Sequence, residues 1–312
     1  MRVLVTGGAG FIGSHVADGF LAGGHEVAVL DNLSTGFRHN VSKSARFYEG
    51  DIRVVSDVRR VFDDFQPEAV DHHAAQMDVR KSLVDPVFDA ETNIVGSINL
   101  ILEAVRAKVN KFIYISTGGA VYGEPQWLPV DETHALHPEC AYGISKHTVE
   151  HYLELYRLLA GLPFTVLRYP NVYGPRQNPH GEAGVNAIFI GLMLDGKTPT
   201  IFGDGEALRD YVYISDVVDA NMRALVRGAG EIVNVGSGVG TSVNDIFRTL
   251  ARILDFPHEP MYTVARPGEI RKVYLAADRA KRVLGWEPKV TFEDGLRRTV
   301  EWAMQRRAAA AV

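Results

Sequence analysis

Arg2-Val3-Leu4-Val5-Thr6-Gly7-Gly8-Ala9-Gly10-Phe11-Ile12-Gly13-Ser14-His15 opens the chain with an apolar run, a cluster of glycines and a change of period. Val3 to Val5 have the β propensity of a buried strand, and from Phe11 the apolar residues take helical spacing. The spacing predicts a strand, a tight turn and a helix. Glycine suits such a turn because it reaches backbone conformations closed to other residues and lets a phosphate approach the amides. The helix that follows presents unpaired N–H groups and the positive end of its dipole to an anion. Glycines also cluster in ordinary turns, so the loop needs a second signal. That signal is the strand Glu26 to Leu30, which ends at Asp31, roughly 20 residues past the loop, where a carboxylate can hold the adenosine ribose hydroxyls. The same carboxylate repels a 2′-phosphate, which favours NAD over NADP.

With 312 residues, 46% of them hydrophobic and 23% charged, the chain has the composition of a globular protein with ample core. A net charge of −5 argues against nucleic acid as a partner, so an anionic ligand must be met by local arginines. The single cysteine, Cys140, excludes an internal disulfide. No apolar run reaches membrane-spanning length and the N-terminal run is interrupted by glycines, so the expected location is the cytoplasm.

Strand and helix patterns alternate through the first half, which predicts an α/β fold with a doubly wound parallel sheet. After the turn formers Asn32 to Gly36, Arg46 to Glu49 reads as a strand followed by Gly50-Asp51-Ile52. Asp51 is either a ligand for the adenine amine at the sheet's carboxyl edge or a helix N-cap. Val54 to Phe65 reads as a helix and Ala69 to His73 as a strand, with the small residues Ala74 and Ala75 and then Gln76 at its end. His72 and His73 read as packing residues, since nothing suitably spaced completes a metal site. One long helix is expected from Pro86 to Arg106, in which Asn93 is either solvated or a polar hook on the cofactor loops. The strand Lys111 to Ile115 delivers Ser116 and Thr117. A helix from Ala141 to Ala160 places Tyr142 and Lys146 four residues apart on one face.

Taken together, Thr6 to His15, Asp31 to Ser34, Gly50 to Ile52, Ala74 to Gln76, Tyr142 to Lys146, Arg168 to Arg176, Gly203 to Gly205, Arg209 to Val212 and Arg266 to Glu269 resemble the extended short-chain dehydrogenase/reductase family. Within it they resemble the UDP-glucose (UDP-galactose) 4-epimerases, and the likeness spans nearly the whole chain. The resemblance implies a dinucleotide-binding domain over residues 1–170, joined by returning segments near 211–235, and a substrate-binding region over 171–312. It assigns NAD to Gly7, Gly10, Phe11, Ile12, Gly13, Asp31, Asn32, Ser34, Gly36, Asp51, Ile52, Ala74, Ala75, Gln76, Asn93, Tyr142, Lys146 and Tyr169. It assigns the UDP-sugar to Thr117, Tyr142, Asn171, Arg209, Arg266 and Glu269, with Arg176 and Gln177 in the same cleft and a homodimer formed through the two long helices.

Tyr142 is then the base that takes the sugar 4-hydroxyl proton. A tyrosine has a pKa near 10, so work at neutral pH needs a shift of about 3 units, roughly 4 kcal/mol. Lys146 at about 5 Å is expected to supply roughly 3 kcal/mol of this at an effective dielectric of about 20, and the positive nicotinamide ring the rest. The family's usual serine position is Gly118 here, which leaves Thr117, and Ser116 behind it, as candidate hydroxyls. The Asp-Glu pair of the related 4,6-dehydratases is replaced by Gly118-Gly119, which removes the proton donor for that elimination. Val273 stands where relatives vary between tyrosine and small residues that admit N-acetylated sugars. UDP-glucuronate chemistry and a non-catalytic NAD sensor are the competing readings. The first lacks a recognisable carboxylate site, and the second has no use for a Tyr–Lys pair.

Overall fold

The computed structural model describes residues 1–179, 184–265 and 270–310. Its first half comprises β1 (Arg2–Thr6), α1 (Phe11–Ala22), β2 (Glu26–Asp31), β3 (Arg46–Glu49), α2 (Val55–Phe65), β4 (Ala69–His72), α3 (Val79–Val84), α4 (Pro86–Ala90), α5 (Gly96–Ala107), β5 (Lys111–Thr117), α6 (Ala141–Ala160) and β6 (Phe164–Tyr169). The second half adds β7 (Asn171–Tyr173), α7 (Val185–Leu194), β8 (Thr200–Phe202), β9 (Leu208–Arg209), β10 (Tyr211–Tyr213), α8 (Ile214–Ala224), β11 (Glu231–Asn234), β12 (Thr241–Ser242), α9 (Val243–Leu254), β13 (Met261–Thr263), β14 (Lys272–Val273), α10 (Asp278–Leu284) and α11 (Phe292–Ala310).

Seven strands form a parallel sheet in the order β11-β6-β5-β4-β1-β2-β3. The chain winds outward from β1 to β3 and then crosses back to β4, so the carboxyl ends of β1 and β4 flank the crevice where such sheets bind ligands. Alternate strand residues face opposite layers. Val3, Val5, Val27 and Val29 pack with α1 and α8, whereas Leu4, Ala28, Leu30 and Val70 pack with α2 and α5. Burial on both faces explains why these strands read as continuous apolar runs. β11 joins this sheet beside β6, and α8 lies against α1. β7 and β10 form a separate parallel pair, and β9 is flanked by β12 and β14.

The single helix expected from Pro86 to Arg106 is corrected. Asp85 caps α4 by accepting the Phe88 amide, and the turn Glu91–Val95 is π-helical before α5 resumes. The extra residue of a π turn rotates the side chains that follow it, and such turns gather at functional sites.

Behind the carboxyl edge lies a buried ion pair. Glu150 on α6 and Arg168 on β6 are each 3% exposed and meet through two N–H···O bonds. Ser116 donates to Glu150 at 2.6 Å. Arg168 also donates to the Tyr122 hydroxyl at 2.9 Å, which in turn donates to Asn234 at 2.8 Å. Burial pushes the Glu150 carboxyl up, but hydrogen bonds from His147, Arg168 and Ser116 outweigh it and hold the pKa at about 2. Removing one member of such a pair strands a buried charge. Arg168→Met is therefore expected to lower unfolding free energy by about 3–5 kcal/mol in chemical denaturation. A loss within about 0.5 kcal/mol would show that the pair is not structurally required.

Candidate functional site

The glycine loop is shaped by contacts that only glycine permits. Gly7 has φ +69°, and a Cβ there would lie 2.6 Å from the Ala74 amide nitrogen. A Cβ at Gly13 would lie 2.4 Å from the Gly7 carbonyl oxygen, so α1 enters directly over the loop. Gly10 is the N-cap of α1 and brings no side chain to its first-turn amides. A Cβ at Gly10 would meet only the Gly7 carbonyl oxygen, at 3.2 Å. This leaves Phe11 and Ile12 to open the helix at a bare, positive N-terminus suited to a pyrophosphate.

Asp31 ends β2 beside this loop, accepting the amides of Ala9 at 2.9 Å and Leu33 at 2.8 Å. Each oxygen takes one N–H and so keeps capacity for a hydroxyl donor. Burial pushes the Asp31 carboxyl up, and these two amides oppose it. Asn32 accepts the Ser34 amide at 3.0 Å and donates to Asp51 at 2.9 Å. Asp51 does not cap α2, whose N-cap is Val54. Its carboxylate is held by Arg53, whose hydrogen bonds bring its pKa to about 2. Gly36 packs against the Ala9 backbone, where a Cβ would approach to 2.8 Å. Ile52 is buried and fills the space beside Gly96.

Ala74 and Ala75 keep the end of β4 narrow, and the Ala74 amide donates to Thr6 at 3.2 Å. Asn93 is 1% exposed and grips the Gln76 backbone at both ends, accepting its N–H and donating to its carbonyl, each at 2.8 Å. Of the two readings of Asn93, the geometry selects the polar hook. The π turn that breaks the expected helix carries this residue.

The second cluster lies where β5 meets α6. Thr117 is the last residue of β5, paired with Tyr169, whose carbonyl accepts the Gly118 amide at 2.7 Å. The following loop abuts α6, since a Cβ on Gly143 would lie 2.4 Å from the Ala120 carbonyl oxygen. Thr117 is partly open, and its hydroxyl oxygen accepts the Gly119 amide at 3.2 Å. Ser116 is corrected as a hydroxyl facing the cleft: it is buried and committed to Glu150. Gly118 has no room for the family's serine in this packing, because a Cβ would meet Leu275 at 2.3 Å. Tyr169 is buried, its hydroxyl accepting from Asn221 at 2.6 Å.

Tyr142 enters α6 with its amide donating to Ser82 at 3.1 Å. It keeps partial solvent access although its phenol is surrounded by protein, as at the floor of a cleft. Lys146 is 3% exposed with Nζ 4.3 Å from the centre of the Tyr114 ring. Burial pushes the Tyr142 phenol well up and the Lys146 ammonium down to about 7, against the opposing pull of Glu150 and Asp89. Desolvation of the phenolate therefore adds to the shift of about 3 units that work by Tyr142 at neutral pH is expected to need.

Asn171 donates its backbone amide to the Asp210 carbonyl at 3.1 Å, next to Arg209 on β9. Arg209 donates to the Leu208 carbonyl at 2.9 Å and has further interactions. Arg266 and Glu269 lie outside the described residues. Arg176 is corrected as a cleft residue, since its guanidinium binds Ser14 at 3.1 Å and Asp18 at 2.7 Å on α1. Gln177 likewise turns inward, donating to the Val172 carbonyl at 3.3 Å. Sequence reading passed over Asp89 and Glu150. The available signal was spacing: Asp89 lies four residues before Asn93, and Glu150 four after Lys146. Among the described residues, no three His, Cys, Asp or Glu side chains gather for a metal ion, and no helix is long and apolar enough to cross a membrane.

Comparison with known proteins agrees with this geometry. Residues 3–236 match the model of the NAD dependent epimerase/dehydratase family. The UDP-glucose 4-epimerase of Mycolicibacterium smegmatis is 44% identical over 308 residues, covering 97% of this chain and 98% of that one. The UDP-glucose 4-epimerase of Thermotoga maritima, solved with UDP-glucose, superposes with a TM-score of 0.97 at 49% identity, covering 98% of this chain and all of that one. The UDP-glucose 4-epimerase of Thermus thermophilus, solved with NAD, gives a TM-score of 0.92 at 44% identity, with 97% and 98% covered. The chain belongs to the NAD dependent epimerase/dehydratase family.

Proposed function

We infer that this protein is an NAD-dependent UDP-glucose 4-epimerase, inverting C4 of a UDP-hexose through a transient 4-keto sugar. The observation that supports the reading is that β5 ends at Thr117 and the loop after it abuts α6, which carries Tyr142 and Lys146 one turn apart, at the same sheet edge as the glycine loop and the Asn93-held β4 loop. The cradle fits the dinucleotide: the bare N-terminus of α1 would receive the diphosphate, Asp31 keeps lone pairs for the ribose hydroxyls, and the loop after β4 is held in place at Gln76 by Asn93. When bound, NAD supplies the acceptor, and then the donor, of the hydrogen at sugar C4.

The chain's own groups handle the proton. Tyr142 Oη takes the proton from the sugar O4 in the first half and returns it in the second. Lys146, four residues along the same helix, stabilises the phenolate and orients it. Thr117 offers its hydroxyl to O4 at the end of β5. Asn171 and Arg209 face the nucleotide diphosphate, where a guanidinium fork can bind two oxygens at once. Val273, which packs with Val121, Tyr122, Val130 and Leu275, stands where relatives carry tyrosine or a small residue, and the intermediate size of valine is the ground for proposing N-acetylated hexoses as a second substrate class.

We propose a homodimer in the cytoplasm, where the single thiol Cys140 stays reduced. Ile144, Leu155, Leu158 and Leu159 form an exposed stripe along α6, with Leu158 68% and Leu159 71% exposed. Val87, Val95 and Leu102 extend the exposed apolar surface along the preceding helical segment. A second copy of this chain buries such a face symmetrically.

Purified enzyme given UDP-galactose or UDP-GlcNAc without added cofactor should form the C4 epimer of each. Tyr142→Phe should lose at least about a hundredfold in kcat while retaining bound NAD, with a smaller loss for Thr117→Val. Wild-type turnover in Tyr142→Phe would falsify the catalytic reading. In light scattering the wild-type protein should have twice the chain mass, and Leu158→Glu with Leu159→Lys the monomer mass; a monomeric wild type rules the dimer out.

A further inference from the structure

Asp89 closes α4 with its side chain completely buried. Its Oδ1 accepts from Gln76 Nε2 at 2.9 Å and from Asn93 Nδ2 at 3.0 Å. Its Oδ2 accepts from Ser145 Oγ at 2.7 Å. All three donors are neutral, and among the described residues no ion pair reaches this carboxylate. Glu150, the other buried acid near Lys146, is matched by Arg168. A buried carboxylate without a cation is costly unless a nearby charge offsets it. Ser145 stands directly before Lys146 in α6, so the carboxylate bonded to it lies within the field of that ammonium. Four titratable groups feel Asp89: Tyr114 on β5, and Cys140, Tyr142 and Lys146 at the start of α6.

The three hydrogen bonds also tie separate parts of the site together. Gln76 belongs to the loop after β4, Asn93 to the π turn that grips the same loop, and Ser145 to the helix bearing Tyr142 and Lys146. One carboxylate therefore fixes the cofactor loop against the catalytic helix.

We propose that Asp89 is a positioning residue for the epimerase reaction, holding Gln76, Asn93 and Ser145 in one arrangement and setting its buried negative charge against the start of the helix that carries Tyr142 and Lys146. The inference rests on the assignment of Tyr142 and Lys146 as the proton-handling pair. Its charge acts in the same direction on both groups, favouring the protonated form of each. The groups that share this field are Glu150 on α6, which also favours the ammonium, and His72 on β4, whose own pKa is lowered by burial and further by Lys146. Loss of the Asp89 charge leaves Glu150 in place and weakens the field without abolishing it.

The test is the pH dependence of kcat/KM for the NAD-loaded enzyme and its Asp89→Asn variant, which keeps the side-chain volume and one acceptor oxygen. Removal of the charge should move both limbs of the profile toward lower pH, by roughly half a unit or more. A variant whose rate falls while both limbs stay in place makes Asp89 a packing residue only and overturns the proposal, as does an unchanged profile. Should Asp89→Asn fail to fold, Ser145→Ala provides the second readout: kcat should fall several-fold with KM for the UDP-sugar unchanged and NAD retained. Wild-type kcat in Ser145→Ala contradicts the link. Tyr142→Phe, assayed in parallel, separates the two levels, because activity in that variant removes the catalytic pair itself, whereas an inactive Tyr142→Phe beside an unaltered Asp89→Asn removes only the role of Asp89.

Discussion

An ammonium group in a protein interior gives up its proton more readily than a free one unless carboxylates face it, and the chemistry of this site follows from how that balance is struck at Lys146. Burial works against the charge and brings its pKa to about 7, while Glu150 and Asp89 pull the other way. Those two acids occupy opposite kinds of setting. Glu150 is locked to Arg168 and Ser116 behind the strand ends, whereas Asp89 is wrapped by neutral donors from the cofactor loop and the catalytic helix. The same desolvation that makes Lys146 responsive raises Tyr142. A phenol this well buried needs positive charge close by at the moment it acts, which couples its activation to cofactor and substrate binding.

The sheet gathers the candidate site because several of its strands end there, with Tyr142 and Lys146 added from the start of α6. β1 turns into the glycine loop, β2 ends at Asp31, β4 runs into Ala74 to Gln76, and β5 ends at Thr117. Parallel register aligns these ends, and the reversal of strand order between β1 and β4 opens the space between them. The second half of the chain then builds the opposing wall from short strands, with β11 returning to complete the sheet.

Much of this was legible in the sequence. The strand-to-loop-to-helix start, Asp31 and the Tyr142–Lys146 spacing are local features, each decided within one or two turns of chain. The strand Arg46–Glu49 and the helix Ala141–Ala160 have the expected bounds for the same reason. What sequence could not supply is long-range. The π turn at Glu91–Val95 carries Asn93, whose side chain grips Gln76 across a sequence separation that periodicity does not encode. The pairing of Glu150 with Arg168 depends on α6 crossing β6, and the capture of Arg176 by Asp18 on packing between halves of the chain. Ser116 and Thr117 are neighbours that face opposite sides of a strand, so the one bound to Glu150 and the one left open are distinguished only when the sheet's two layers are known. The dominance of desolvation at Tyr142 also escapes a pairwise view, because it depends on everything surrounding the phenol.

The central claim is that the protein's own groups leave Tyr142 protonated at neutral pH, and that positive charge brought by the oxidised dinucleotide makes it a base. Ultraviolet difference titration of the phenolate, taken as wild type minus Tyr142→Phe, measures this directly in the NAD- and NADH-loaded forms. The account predicts ionisation at a lower pH in the NAD form than in the NADH form. Equal titration near neutrality in both forms would contradict it.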